Sequence, residues 1–318
     1  MPSRRCLTTG TVLALAASVA QAQLGNYSTI SNVSSSACPS EGGAHIIVAR
    51  ASTEPLGYGI IGAVKDLVLE AVPASNAEYV VYPATLTDYF NSESDGVLGM
   101  KELVEAYVAQ DCPNNAPLVL MGYSQGAQVV ADYVSGQNVG VFPYNSSLAE
   151  PAPDNVLSKI AAIITMGDPS INITNNPAHV GNSTKPGLFE RFGNATSIFE
   201  TSGLDNRTQA YCNALDPYCA SAGNFDNITV HLVYVQEFGM QARDFVVQKI
   251  EEWYGSSTGT SNGTANGTSN GTTSEGGTMS GASAPSPSDS AASSIRDMQA
   301  SITAALLVTI GFAFAYAL

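Results

Sequence analysis

Residues 122–126 read Gly-Tyr-Ser-Gln-Gly, directly after the apolar run Pro117-Leu-Val-Leu-Met121 and directly before Ala127-Gln-Val-Val-Ala-Asp-Tyr-Val134. A buried strand, a sharp turn and a helix are the setting in which a Gly-x-Ser-x-Gly sequence exposes a serine nucleophile. Glycines flank the serine because bulkier neighbours would collide with the adjoining strand and helix. The turn predicts the Ser124 hydroxyl at the carboxyl end of its strand. It also puts the backbone N–H of Gln125 where the oxyanion of an acyl-transfer intermediate would sit.

Such a serine needs a general base, most often a histidine oriented by a carboxylate. The chain has three histidines. His45 begins the first predicted strand, ahead of the nucleophile, and reads as a strand residue. His179 lies in a Pro/Asn-rich loop beside the Asn182 sequon and reads as exposed. His231, within Val230-His-Leu-Val-Tyr-Val235, comes just before the last helix and satisfies the serine, acid, histidine order of α/β hydrolases. That segment reads equally as a strand or a loop. Two carboxylates compete for the orienting role. Asp168 closes the Met166-Gly-Asp-Pro169 strand end, and Asp216 sits in Cys212-Asn-Ala-Leu-Asp-Pro-Tyr-Cys219, a loop that a disulfide would make rigid. Generic fold logic allows either.

The elements that must position these residues follow from hydrophobic periodicity. Ala44–Ala49 reads as a buried strand, and Tyr58–Val72 as a helix with Ile61, Val64, Leu67, Val68 and Ala71 on one face. Glu78–Tyr82 reads as a second strand stopped by Pro83. Gly96–Ala109 is a second helix, with Val97, Met100, Val104, Tyr107 and Val108 inward. Leu118–Met121 is the strand before the serine, Ile160–Met166 a further strand, and Gln236–Tyr254 a closing amphipathic helix. Alternating strands and helices predict an α/β fold: one compact domain, a central parallel sheet flanked by helices and no large lid. Sites in such sheets form at the carboxyl ends of the strands, where Ser124 is expected.

The ends of the chain carry addresses. Arg4 and Arg5, an apolar stretch and Ala20-Gln-Ala22 form the pattern of a secretory signal peptide over residues 1–22. Residues 255–289 are Ser, Thr, Gly, Asn and Pro with little apolar surface to offset their ordering entropy, and carry sequons at Asn262, Asn266 and Asn270; they read as a glycosylated stalk. Small residues around Ser288 and Ser290, a polar spacer and the apolar tail Ile302–Leu318 fit a GPI-anchor signal over 290–318, removed on anchoring. No Lys or Arg follows that tail, as a retained span would normally require.

Residues 23–254 remain as the domain. The net charge of −15 argues against nucleic acid as a partner. Further sequons stand at Asn26, Asn32, Asn145, Asn172, Asn182, Asn194, Asn206 and Asn227. Once Cys6 leaves with the signal peptide, Cys38, Cys112, Cys212 and Cys219 imply two disulfides in an oxidising compartment. Cys212 and Cys219 close a local loop, which leaves Cys38 for Cys112. The spacing lacks the paired Cys-x2-Cys of a zinc site, and no metal or organic cofactor is implied.

The Gly122–Gly126 turn, the Met166–Pro169 strand end and Tyr211-Cys-Asn-Ala-Leu-Asp-Pro-Tyr-Cys219, with Tyr234, Glu237, Phe238, Gly239, Gln241, Ala242 and Phe245 beyond the histidine, resemble the fungal cutinase and acetylxylan esterase family over about residues 38–252. The resemblance implies Ser124 as nucleophile, His231 as base, Asp216 as orienting acid and Asp168 as structural. It also implies the same cysteine pairs. Within Ala49-Arg-Ala-Ser-Thr53 it assigns Ser52 to the oxyanion hole beside Gln125. Pro55-Leu-Gly-Tyr-Gly59 and Val81-Tyr-Pro-Ala84 are more similar to the acetylxylan esterases, while two disulfides lean toward the cutinases. The expectation is a secreted, monomeric esterase acting on short acyl esters of a plant or fungal wall polysaccharide and meeting membrane only through a GPI lipid. The alternatives are a cutinase cleaving fatty-acid polyesters and a surface glycoprotein with a silent triad. The Asn227 sequon, four residues before His231, is expected to crowd the site.

Overall fold

The computed structural model describes residues 33–258, apart from 138–140, 143–146, 175, 177 and 222–227. Asn26, Asn32, Asn145 and Asn227, residues 1–22 expected as a signal peptide, most of residues 255–289 expected as a stalk and residues 290–318 expected as a GPI signal lie outside these residues. Among the described residues, six strands form one parallel sheet in the order β2-β1-β3-β4-β6-β5. They are β1 (His45–Ala49), β2 (Asn76–Tyr79), β3 (Leu118–Tyr123), β4 (Ile160–Met166), β5 (His179–Val180) and β6 (Thr208–Tyr211). The helices are α1 (Gly62–Ala71), α2 (Tyr89–Ala109), α3 (Gln125–Ser135), α4 (Asp154–Leu157), α5 (Asn194–Thr201), α6 (Ile228–Leu232) and α7 (Tyr234–Thr258).

Strand β1 has β2 on one side and β3 on the other, so the strand order reverses there. Right-handed crossovers then send α1 and α2 to opposite faces, and the crevice between the ends of β1 and β3 becomes the natural site. On one face Ile46, Val48, Val119, Met121 and Ile164 pack under α1 and α7 through Val64, Val68, Val246 and Ile250. On the other, Ile47, Leu118, Leu120 and Ile163 pack under α2 and α3 through Met100, Val104, Val129 and Val134. Both Ile160 and Ile163 reach this second face although they differ by three positions. The register between β3 and β4 slips at Leu118/Val119, where Ile160 and then Ala162 are the partners, so Ala161 is the extra residue of a bulge.

Several elements depart from the hydrophobic reading. Strand β2 begins at Asn76, earlier than expected, because the polar side chains of Asn76 and Glu78 are engaged inward by His45, at 2.7 and 2.9 Å. Helix α2 begins at Tyr89 rather than Gly96. Its first turns carry Ser92 and Glu93, polar by type yet buried, which an apolar periodicity passes over. Ala71 is exposed and Lys65 is buried on α1. Residues around His231 form the short helix α6 rather than a strand or loop, and the buried Tyr123 hydroxyl donates to the His231 carbonyl at 2.5 Å. His179 is half-buried in the two-residue edge strand β5, not in an open loop, and its Nε2 meets the Cys212 carbonyl at 3.0 Å. Cys38 is bonded to Cys112 and Cys212 to Cys219.

Candidate active site

Strand β3 ends at Tyr123, and Ser124 takes φ 54 and ψ −120, a left-handed strain at the N-terminus of α3. The turn closes only with glycine on both sides. A Cβ on Gly122 would stand 2.2 Å from the Gly126 carbonyl oxygen, and one on Gly126 would stand 2.1 Å from that of Ala49. The second approach presses the start of α3 against the Ala49 and Arg50 carbonyls, where the Arg50–Thr53 segment begins.

That segment is tightly tied. Glu54 accepts the N–H groups of Ala51 and Ile60, each at 2.7 Å, and Arg50 donates to the carbonyls of Glu54 and Tyr82 at 3.0 and 2.7 Å. Ser52 is half-buried in this loop. The Gln125 side chain is turned away from Ser124. Its Oε1 accepts from Ser92 Oγ at 3.2 Å and its Nε2 donates to the Tyr89 carbonyl at 3.2 Å. The backbone N–H of Gln125 is the first of α3. It has no acceptor within the helix, and it sits at the positive end of the helix dipole.

His231 Nε2 lies 2.8 Å from Ser124 Oγ, and His231 Nδ1 lies 2.8 Å from Asp216 Oδ2. An ionised carboxylate only accepts, so Nδ1 carries the proton and Nε2 is left to accept from the serine hydroxyl. His231 and Asp216 are buried, Ser124 half-buried. Asp216 Oδ1 accepts the N–H groups of Tyr218 and Cys219 at 2.8 and 3.0 Å, and Oδ2 also accepts from the Tyr234 hydroxyl at 2.7 Å. Burial opposes ionisation of Asp216. The His231 beside it and these hydrogen bonds outweigh that burial and hold its pKa below the ordinary value. The same burial, followed by the Asp216 charge, raises the Tyr218 hydroxyl to about 12.

Asp168, the other sequence candidate, is turned elsewhere. It accepts from Arg191 Nη1 at 2.6 Å and from the Ser170 N–H at 2.8 Å, within a buried network that joins Arg191 to Asp132 as well. His45 is buried far down the sheet against Asn76, Glu78 and the Tyr107 ring. Two contributors went unseen in the sequence. Gly167, at φ 66, leaves room for the imidazole, since a Cβ there would lie 2.7 Å from His231 Cε1. Tyr234 enters the sequence pattern only through its register beyond the histidine, which does not reveal its hydrogen bond to Asp216. The signal for Gly167 was its place after a buried strand. No local pattern marks the tyrosine. Among the described residues no His, Cys, Asp and Glu group is arranged to hold a metal ion.

A family model described as Cutinase matches residues 37–250. The chain is 34% identical over 212 residues to an acetylxylan esterase of Hypocrea jecorina, covering 64% of this chain and 65% of that protein, a little under two thirds of its length. It is also 34% identical over 222 residues to Cutinase 11 of Verticillium dahliae, covering 67% and 70%. Among solved structures, the catalytic core domain of acetyl xylan esterase from Trichoderma reesei aligns with a TM-score of 0.56 at 32% identity. That alignment covers 67% of this chain and 100% of the other.

Proposed function

The chain belongs to the cutinase family, and we propose that it is a secreted serine esterase that removes short acyl groups from a polysaccharide such as acetylated xylan. The observation carrying this reading is the run of hydrogen bonds from Ser124 through His231 to Asp216 beside the free end of a helix. His231 takes the proton of Ser124 as its oxygen attacks the ester carbonyl. The backbone N–H groups of Gln125 and Ser52 receive the oxyanion. The alcohol leaves with the proton from His231, and a water deprotonated by the same imidazole then releases the acid from the acyl-serine. Asp216 holds the imidazole in the required tautomer and balances the charge it gains.

A short acyl group on a carbohydrate is favoured by the Pro55–Gly59 and Val81–Ala84 segments. Cleavage of fatty-acid polyesters is the second reading, supported by an equal identity to Cutinase 11. The signal over 1–22, the 255–289 stalk and the 290–318 GPI signal support an enzyme held at the cell surface or wall.

The test compares acetate release from acetylated xylan with hydrolysis of p-nitrophenyl acetate, p-nitrophenyl butyrate and a cutin polyester, with Ser124→Ala as blank. Xylan deacetylation with little polyester cleavage is the expected result. A polyester preference would move the protein to the second reading. No ester turned over faster than by Ser124→Ala would refute the esterase reading and leave a surface glycoprotein with a silent triad.

A further inference from the structure

We propose that Tyr234 is a positioning residue of this site, whose hydroxyl, held between the Asn213 N–H and Asp216 Oδ2, sets how Asp216 is aimed at His231 and how much of its charge the imidazole receives. The inference builds on the esterase reading for its kinetic consequence only; the geometry stands by itself. Tyr234 Oη accepts from the Asn213 N–H at 2.9 Å, and of the two acceptors left for its own proton, Asp216 Oδ2 at 2.7 Å and the disulfide sulfur of Cys219 at 3.3 Å, the nearer, charged carboxylate oxygen is the stronger. That oxygen is the one facing His231 Nδ1, whereas the two backbone donors on Asp216 fall on Oδ1.

The ring cannot swing aside. It is fully buried, meets the His231 ring edge-on at 6.3 Å between centroids and packs beside Tyr123 and Phe238. Disulfide Cys212–Cys219 spans the loop bearing Asp216, and Tyr234 closes that loop from inside by holding Asn213 and Asp216 together.

A donor on Oδ2 draws carboxylate charge away from the imidazole. Its removal should leave more of that charge to the hydrogen bond with His231 Nδ1. The groups facing the pair fit this account. Ser124 approaches from the turn after β3, and Tyr123 from β3 itself, donating to the His231 carbonyl. Tyr218, from the loop after β6, packs at a tilt against the His231 ring, 4.5 Å between centroids. Glu237 of α7 reaches only Asn213 Nδ2, at 2.9 Å, and Glu54, from the loop after β1, acts on Tyr123. The charged groups among these, Glu237 and Glu54, hydrogen-bond to other partners, and Tyr234 is the side chain that donates directly to Oδ2 beside His231.

The experiment uses the full secreted protein, Tyr234→Phe, and a variant with 3-fluorotyrosine placed at position 234 alone. The second keeps the shape and strengthens the donor. kcat/KM for p-nitrophenyl acetate is measured against pH with active sites counted by a phosphonate. The His231 ring protons are titrated by NMR in parallel. In Tyr234→Phe the acid limb and the ring titration should move up by about half a pH unit or more, and with fluorotyrosine both should move down. Unmoved limbs and titrations in both variants, even with a lowered Tm, would overturn the proposal and leave Tyr234 as packing alone. Should the wild type turn over no ester, the esterase reading fails, while the ring titration still decides the role of Tyr234.

Discussion

Replacing Gly167 by alanine tests whether the backbone at the end of β4 is shaped for the imidazole. The added Cβ would lie 2.7 Å from His231 Cε1 and 2.9 Å from Nδ1, against an ordinary contact that begins at about 3.4 Å. The ring must therefore retreat by about 0.7 Å, and its Nε2 now stands 2.8 Å from Ser124 Oγ. A retreat of that size would stretch this bond to as much as about 3.5 Å, where it is weak, and the proposed mechanism passes a proton along it. Misplacement of a reacting group by about 1 Å costs roughly 100-fold in rate, so kcat/KM should fall by about 30- to 100-fold, mostly in kcat. Alanine at φ 66 also costs about 1–2 kcal/mol of backbone strain. Gly42→Ala supplies the control, because Gly42 has φ 85 with nothing within 4 Å of a new Cβ. The two variants should lose similar stability in urea unfolding, and only Gly167→Ala should lose activity. Equal activity in the two, at matched fraction folded, would refute the claim that Gly167 makes room for the base.

The buried Glu93–Asp132 pair should make the fold lose stability as pH rises. Burial, reinforced by the neighbouring Asp132 charge, raises Glu93 well above the ordinary carboxylate value, while Asp132 is pushed up to about 6 by burial, against the pull of Arg191. A carboxyl whose folded pKa is raised stabilises fully below its unfolded pKa and loses that contribution as pH climbs through the folded one. Urea unfolding from pH 4 to 9 should show this decline in the wild type and a flatter curve in Glu93→Gln; parallel curves would contradict it. Breaking Cys38–Cys112 frees a loop of sequence separation 74, worth about 4 kcal/mol in chain entropy, so Cys38→Ser/Cys112→Ser should lower Tm by about 10 °C, read by calorimetry. Asn182, Asn194 and Asn206 are exposed, whereas Asn172 is half-buried and donates its amide to the Arg191 carbonyl at 3.0 Å. Peptide mass spectrometry after glycan removal should find the first three occupied and Asn172 bare; a glycan on Asn172 would show that this bond is dispensable.

Much of this site was readable along the chain because its signals are local. Gly122, Ser124 and Gly126 are two residues apart, and a turn that tight demands those residue types wherever it occurs. The buried strands β1, β3 and β4 announced themselves as apolar runs, and β4 matches its reading residue for residue. The parallel sheet followed from their alternation with helices. Where polar residues turn inward, as at the half-buried Asn76 and the buried Glu78, Ser92 and Glu93, periodicity lost the element boundaries, because each finds a side-chain partner and hydropathy does not register partners. The residues alone left Asp168 and Asp216 level. Three-dimensional packing turned Asp168 onto Arg191 and Asp216 onto His231, and brought Ser124 within 2.8 Å of a histidine 107 positions away. The contacts of Gly167 and Tyr234 with the imidazole and the acid arise the same way. Turn and strand propensities act between neighbours, whereas these hydrogen bonds exist only once the sheet has set the register of β3, β4 and β6 and carried their following loops to one edge.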